Sequence, residues 1–254
     1  MATTRSRYLY VYSYVDGVQV SWGKWELAAG TEILSTNISD GLLSIVSKHS
    51  DGIYFSTIDL SSLGETRQAH LDRYKRFTAG TYSSTTNKTT WTLPYSLATN
   101  GTEGTVVVRR ADTNVDLTAT RPSATTVSAD GNLSAVAVDI GIAYTAEFTL
   151  STIFKRDQRS QGQPADTSGR LTLNNITLHH DHTDGFSVKV TPKGRSAYTY
   201  QPRVGSIGGS GDFRVPVHAR NEDATIEVTD TSGGAFRFSG FDWEGRYNLR
   251  SRSI

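Results

Sequence analysis

Phe213-Arg-Val-Pro-Val217, Thr225-Ile-Glu-Val228, Phe236-Arg-Phe238 and Trp243-Glu-Gly-Arg-Tyr247 follow one another closely and run into Arg250-Ser-Arg252. Apolar residues recur at every second position, the period of a strand that turns alternate side chains toward a core. Trp243, beside Phe241 and Tyr247, is expected in that core. The same alternation opens the chain. Tyr8, Tyr10, Tyr12 and Tyr14 fall on one face, with Leu9, Val11 and Val15 on the other. Asp16-Gly17 offers the φ > 0 positions of a tight hairpin, and Asp40-Gly41 and Asp51-Gly52 repeat the device around Leu42–Lys48 and Ile53–Leu60.

Short alternating segments continue beyond a small, polar, turn-forming stretch at 78–90. They include Trp91–Leu93, Thr105–Arg109, Leu133–Val138, Arg170–Leu178 and Phe186–Val190, the pattern of a β-sandwich. A helix competes only at Glu65–Phe77, where Leu71, Tyr74 and Phe77 give a brief apolar stripe. Phe154–Ser168 is too long and polar for a tight hairpin, so it is expected as an exposed loop. Gly205–Gly211 is expected as a hinge. The fold class expected is therefore all-β. Its expected divisions are hairpins over 1–77, a linker at 78–90, a β-sandwich over 91–204, and a Gly-rich hinge with a C-terminal strand module over 205–254.

The 254 residues suffice for one large or two ordinary domains. Cysteine is absent, which excludes disulfides, thiolate metal sites and thiol nucleophiles. Residues 1–15 lack the long apolar core of a secretory leader, and no stretch approaches the ~20 apolar residues of a membrane-spanning helix. The expectation is a protein made in a cytoplasm without membrane insertion. A net charge of +1 is unlike that of a dedicated nucleic-acid binder, whose affinity rests on neutralising phosphates.

The C-terminal succession resembles the end of podovirus tail nozzle proteins, also called tail tubular protein B, in which an apolar-Arg-apolar-Pro-apolar strand precedes a hairpin, a Trp-Glu-Gly-aromatic strand and Arg-Ser-Arg. Upstream, Tyr8–Ser13 with Trp22-Gly-Lys-Trp25, Asp51-Gly-Ile-Tyr54 through Ile58-Asp-Leu60, His70-Leu-Asp-Arg73 and Leu93-Pro-Tyr95 resemble further family segments in the same order. The chain starts at Met1 yet resembles only the C-terminal part of much longer proteins, so a nozzle split between chains or a reduced nozzle is expected. The resemblance implies a partial β-propeller-like platform in the hairpins. It further implies a homo-hexameric ring in the virion tail around the channel for DNA ejection, touching an adaptor protein and a fibre or spike, and a second polypeptide if the nozzle is split. Phage DNA would pass without specific binding, and no cofactor is implied. The alternative is a receptor- or carbohydrate-binding β-sandwich of a tail fibre, with Trp91 and Tyr82 as sugar platforms.

His179-His-Asp-His182 with Asp184 is the cluster closest to a metal site, and strand alternation would set His180, His182 and Asp184 on one face. The family resemblance instead implies a hairpin here, with exposed histidines flanking a turn at Asp184-Gly185. No Gly-x-Ser-x-Gly elbow occurs, and the pairs Asp112/Asp116 and Glu222/Asp223 suit solvated turns better than a glycosidase cleft. An enzyme is not expected. Arg246, Tyr247, Arg250 and Arg252 form a basic, aromatic run, a composition suited to anchoring an interface.

Overall fold

The computed structural model describes residues 7–15, 19–60, 71–97, 104–113, 115–155, 166–202 and 209–249. It divides into two compact units, Met1–Tyr144 and Thr145–Ile254. Apart from one 3-10 turn at Asn221–Asp223, every regular element among the described residues is a strand. No helix is long and apolar enough to cross a membrane.

The first unit holds β1 (Tyr8–Val15), β2 (Gln19–Glu26), β3 (Glu32–Ser39), β4 (Leu42–His49), β5 (Gly52–Asp59), β6 (Asp72–Phe77), β7 (Thr81–Ser83), β8 (Lys88–Thr92), β9 (Val106–Arg110), β10 (Asp116–Leu117), β11 (Ala119–Ser123), β12 (Thr126–Asp130) and β13 (Val138–Ile142). They form sheets β1-β2, β3-β4-β5, β10-β9-β13-β6 and β11-β12-β8-β7. At the β3-β4 turn Asp40 and Gly41 take φ of 52° and 77°, the left-handed pair that a tight hairpin needs. Asp16-Gly17 lies outside the described residues, although Val15 and Gln19 pair on either side of it. The two hairpin sheets have two and three strands, fewer than the four of a propeller blade.

Trp91, Val127 and Ala129 from one four-stranded sheet share a core with Val108, Val138, Ile140 and Ile142 from the other. Residues 78–90 hold β7 and the start of β8, which pair with each other. Asp72–Phe77 is strand, Leu71 precedes it without regular structure, and residues 65–70 of the segment where a helix competed lie outside the described residues.

The second unit holds β14 (Ala146–Thr149), β15 (Gly169–Thr183), β16 (Ser187–Pro192), β17 (Tyr198–Tyr200), β18 (Gly209–Arg220), β19 (Ala224–Asp230) and β20 (Phe238–Leu249). Sheets β14-β19-β16-β17 and β18-β15-β20 enclose one core of Leu171, Leu173, Ile176, Leu178, Val188, Val190, Val215, Val217, Ile226 and Val228. The C-terminal strands are thus part of a sandwich, with β18 and β20 in one sheet and β19 in the other. Gly209–Gly211, read as hinge, begin β18, while residues 203–208 lie outside the described set.

Along β15 the apolar phase slips between Leu173 and Ile176. A register shift between Leu173 and Asn175, against both neighbouring strands, absorbs the extra residue and returns Ile176 and Leu178 to the core. The expected hairpin after β15 is a corner instead. β16 pairs with β17 and β19, not with β15, so Asp184–Phe186 carries the chain from one sheet to the other.

Candidate functional site

Among the described residues β20 pairs within the sheet with β15 alone, and it is exposed at every position except Phe238 and Tyr247. Its register sets Phe241 opposite Leu178, Trp243 opposite Ile176 and Tyr247 opposite Leu171, the core side of the sheet. Trp243 and Phe241 nonetheless remain 36% and 37% exposed, and Leu249 73%. The expected burial of Trp243 is therefore corrected: it lies on the correct face, but on an edge strand that the opposing sheet does not fully cover. Asp242, Glu244 and Arg246 occupy the intervening, solvent-facing positions.

Of the four residues read as an interface, Arg246 is exposed and Tyr247 half-buried; Arg250 and Arg252 lie outside the described residues. Tyr247 packs against the sandwich core. Its hydroxyl lies 3.1 Å from the Ser168 hydroxyl, and Lys155 Nζ sits 4.6 Å from its ring centroid. Glu244 Oε2 accepts from Arg214 at 2.6 Å and from Asn175 at 3.3 Å, which ties the solvent face of all three strands together.

The histidines do not share one face. His182 has a φ of 49°, and β15 loses register with β18 between His180 and Thr183, so simple alternation fails there. The His180 ring packs 5.5 Å from that of Phe186. His182 Nδ1 lies 2.7 Å from Asp181, while Asp184 accepts from the Ala235 backbone at 3.1 Å. Among the described residues no group of three or more His, Asp or Glu side chains has an arrangement that would hold a metal ion.

His179 is the residue that sequence reasoning missed. It bridges both flanking strands, with Nδ1 at 2.7 Å from Asp212 and Nε2 at 3.1 Å from Asp242. Those carboxylates, Asp212 first, raise its pKa above the ordinary histidine value. Only an imidazolium donates from both nitrogens at once. The signal in sequence was its place on the phase of Thr177, opposite to that of Ile176 and Leu178.

In the first unit, three of the separate motifs converge. The Arg73 guanidinium lies 5.1 Å from the Tyr54 ring centroid and 4.5 Å from that of Tyr95, and 3.3 Å from Asp51. Arg73 also donates to the Ser96 carbonyl at 3.0 Å, Tyr95 donates to the Arg73 carbonyl, and Asp51 accepts from Tyr54 at 2.7 Å and Ser96 N at 2.7 Å. Burial pushes the Asp51 carboxyl up, but the bonds from Tyr54 and Ser96 and the charge of Arg73 outweigh it and hold it below the ordinary value. Burial raises Tyr95 to about 12. With its cation enclosed and its phenols held protonated, the cluster fixes the Asp51-Gly52 turn to β6 and contains no group poised for proton transfer.

Among the described residues the regular elements are strands apart from one 3-10 turn, and large apolar side chains stand exposed both on the hairpin sheets, at Tyr10, Ile38, Ile53 and Phe55, and on β20. A family model for bacteriophage nozzle protein matches residues 1–254. The chain belongs to the bacteriophage nozzle protein family. It is accordingly a structural component of a phage tail. It is also similar to the tail tubular protein gp12 of Escherichia phage T7, with 22% identity over 269 aligned positions covering 97% of this chain. The chain spans 34% of that protein's length.

Proposed function

We propose that the chain builds the nozzle of a short tail, a six-fold ring around the channel through which DNA is ejected, seated on an adaptor and carrying a fibre or spike. The family match along the whole chain carries this reading. A net charge of +1 agrees with it, since a strongly basic bore would retard DNA by binding phosphate. The part of the nozzle beyond this sequence would come from further chain or from a second polypeptide. Arg246, Tyr247, Arg250 and Arg252 would anchor the ring to its neighbours, and truncation after Tyr247 should leave a folded chain that fails to join tails. Negative-stain electron microscopy of assembled protein tests the ring: six-fold particles are expected, and trimers would favour a fibre.

The fibre alternative loses one of its sugar platforms, because Trp91 is 2% exposed within a core. In the nozzle reading the chain acts by assembly and not by catalysis. Hydrolysis of polysaccharide that is abolished by His182→Ala or Asp184→Ala would overturn that.

A further inference from the structure

Both edges of the sheet β18-β15-β20 are open among the described residues, but they are not equivalent. β18 carries Pro216 in mid-strand, which removes a backbone donor and blunts pairing. β20 has neither proline nor lysine over twelve residues, and it presents Phe241, Trp243 and Leu249 partly bare beside an unpaired row of backbone donors and acceptors. Such an edge is a template for another strand. Its own sequence identifies which strand fits.

We propose that β20 pairs antiparallel with β20 of a second copy of this chain, with the two Gly245 residues opposite each other. In that register Glu244 faces the partner's Arg246, Asp242 the partner's Asn248, Trp243 the partner's Tyr247 and Phe241 the partner's Leu249, and each pair occurs twice. Opposite charges meet on the solvent side and apolar residues meet on the core side. Such cross-strand pairs add to the backbone bonds between the strands.

The neighbouring registers fit less well. Moving one position sets aromatic residues opposite charged ones and mismatches the two faces. Two positions in one direction oppose Glu244 to Glu244, and two in the other oppose Arg246 to Arg246, each a like-charge contact. Glu244 already holds Arg214 and Asn175 through Oε2, so Oε1 is the acceptor offered to the partner's Arg246. Gly245 suits the axis for a separate reason: a Cβ there would come 2.6 Å from the Thr172 carbonyl oxygen, so this part of β20 is held tight against β15.

The contact is two-fold and isologous, unlike the head-to-tail contact that closes a ring. It describes the free chain, whose adhesive edge is covered until assembly, and it does not rest on the ring reading. A ring without the dimer, or the dimer without a ring, separates the two.

The chain lacks cysteine, which makes thiol cross-linking clean. Asp242→Cys and Asn248→Cys proteins, prepared separately, mixed and treated with a short bismaleimide, should give a cross-linked dimer. Neither alone should do so, since like positions lie ~20 Å apart in this register. By sedimentation equilibrium the full chain should be dimeric, Arg246→Glu should weaken the dimer at least about tenfold, and adding Glu244→Arg with Arg214→Glu, which keeps the bond within the sheet, should restore it. Circular dichroism confirms that the variants are folded. A monomeric chain, cross-linking within either single-cysteine sample, or failure of the triple charge swap to restore a dimer weakened by Arg246→Glu would overturn the proposal.

Discussion

β13 and β20 are both strands with acidic residues set among apolar ones, and they resolve that mixture in opposite ways. β13 is buried at all five positions. Its Asp139 is 3% exposed and accepts from Arg76 at 2.8 and 2.9 Å and from the Tyr74 hydroxyl at 2.8 Å, so the charge is satisfied within the unit. β20 leaves its apolar row partly bare and its charges in solvent. A strand with neighbours on both sides, as β13 has in β9 and β6, is completed by its own fold. A strand with one neighbour and an uncovered aromatic row is completed from outside.

The largest expected effects test that contrast directly. Asp72, in β6 beside β13, is half-buried, its enclosed Oδ2 has no hydrogen-bond partner among the described residues, and burial pushes its pKa up to about 6 despite a bond from the Ala28 backbone. Between the ordinary value of 3.8 and about 6 the folded chain holds a proton that the unfolded chain has lost, so stability falls as pH rises through this window. Asp72→Asn should therefore stabilise by up to about 3 kcal/mol above about pH 7 and bring no gain below about pH 3.5, as read from urea midpoints. Equal gains at both pH values would show that folding does not shift the pKa of this carboxyl.

Asp139→Ala should cost about 2 kcal/mol by the same measurement, since it strips Tyr74 and Arg76 of their acceptor; the half-exposed Arg76 side chain limits the loss. Trp243→Ala should cost the isolated chain under about 1 kcal/mol while weakening its association. If the order of these two is reversed, the division between an internally completed strand and an externally completed one fails.

The smallest effect concerns His179. Its pKa is raised in the fold, so the bridge to Asp212 and Asp242 is complete below about pH 6.5 and is lost as pH rises through the folded value. Nitrogen-detected titration should show both ring nitrogens protonated at the acidic end and an apparent pKa above that of a free histidine. A pKa at or below the free value would mean that the two carboxylates do not hold the ring in solution.

Much of the fold was legible because strands announce themselves by alternation. The Asp40-Gly41 turn, the core row Val215 and Val217, and the strand through Trp243 all follow from local rules. What failed depended on which strand lies beside which. Asp184-Gly185 reads the same at a hairpin as at a corner between sheets, and only the pairing of β16 with β19 decides. Alternation grouped His180 with His182, but the slip before Thr183 broke the phase, and His179 is the bridging residue because it lies between Asp212 and Asp242 on the flanking strands. Trp243 looked like core because one strand cannot reveal that it lies at an edge. The convergence of Asp51, Arg73 and Tyr95 was likewise invisible, because residues far apart in sequence meet only once three segments are placed.

β15 also gives the second unit a mechanical grain. Fifteen residues long, it is paired along most of its length to β18 on one side and to β20 on the other. A pull along its axis loads both ladders in shear and must break many bonds together, whereas a pull that peels β20 away opens them singly. Handles at Gly169 and Phe238, at opposite ends of the paired strands, should thus require a larger rupture force than handles at Gly169 and Leu249, which lie at the same end, so the stiff direction of the second unit is built into one central strand.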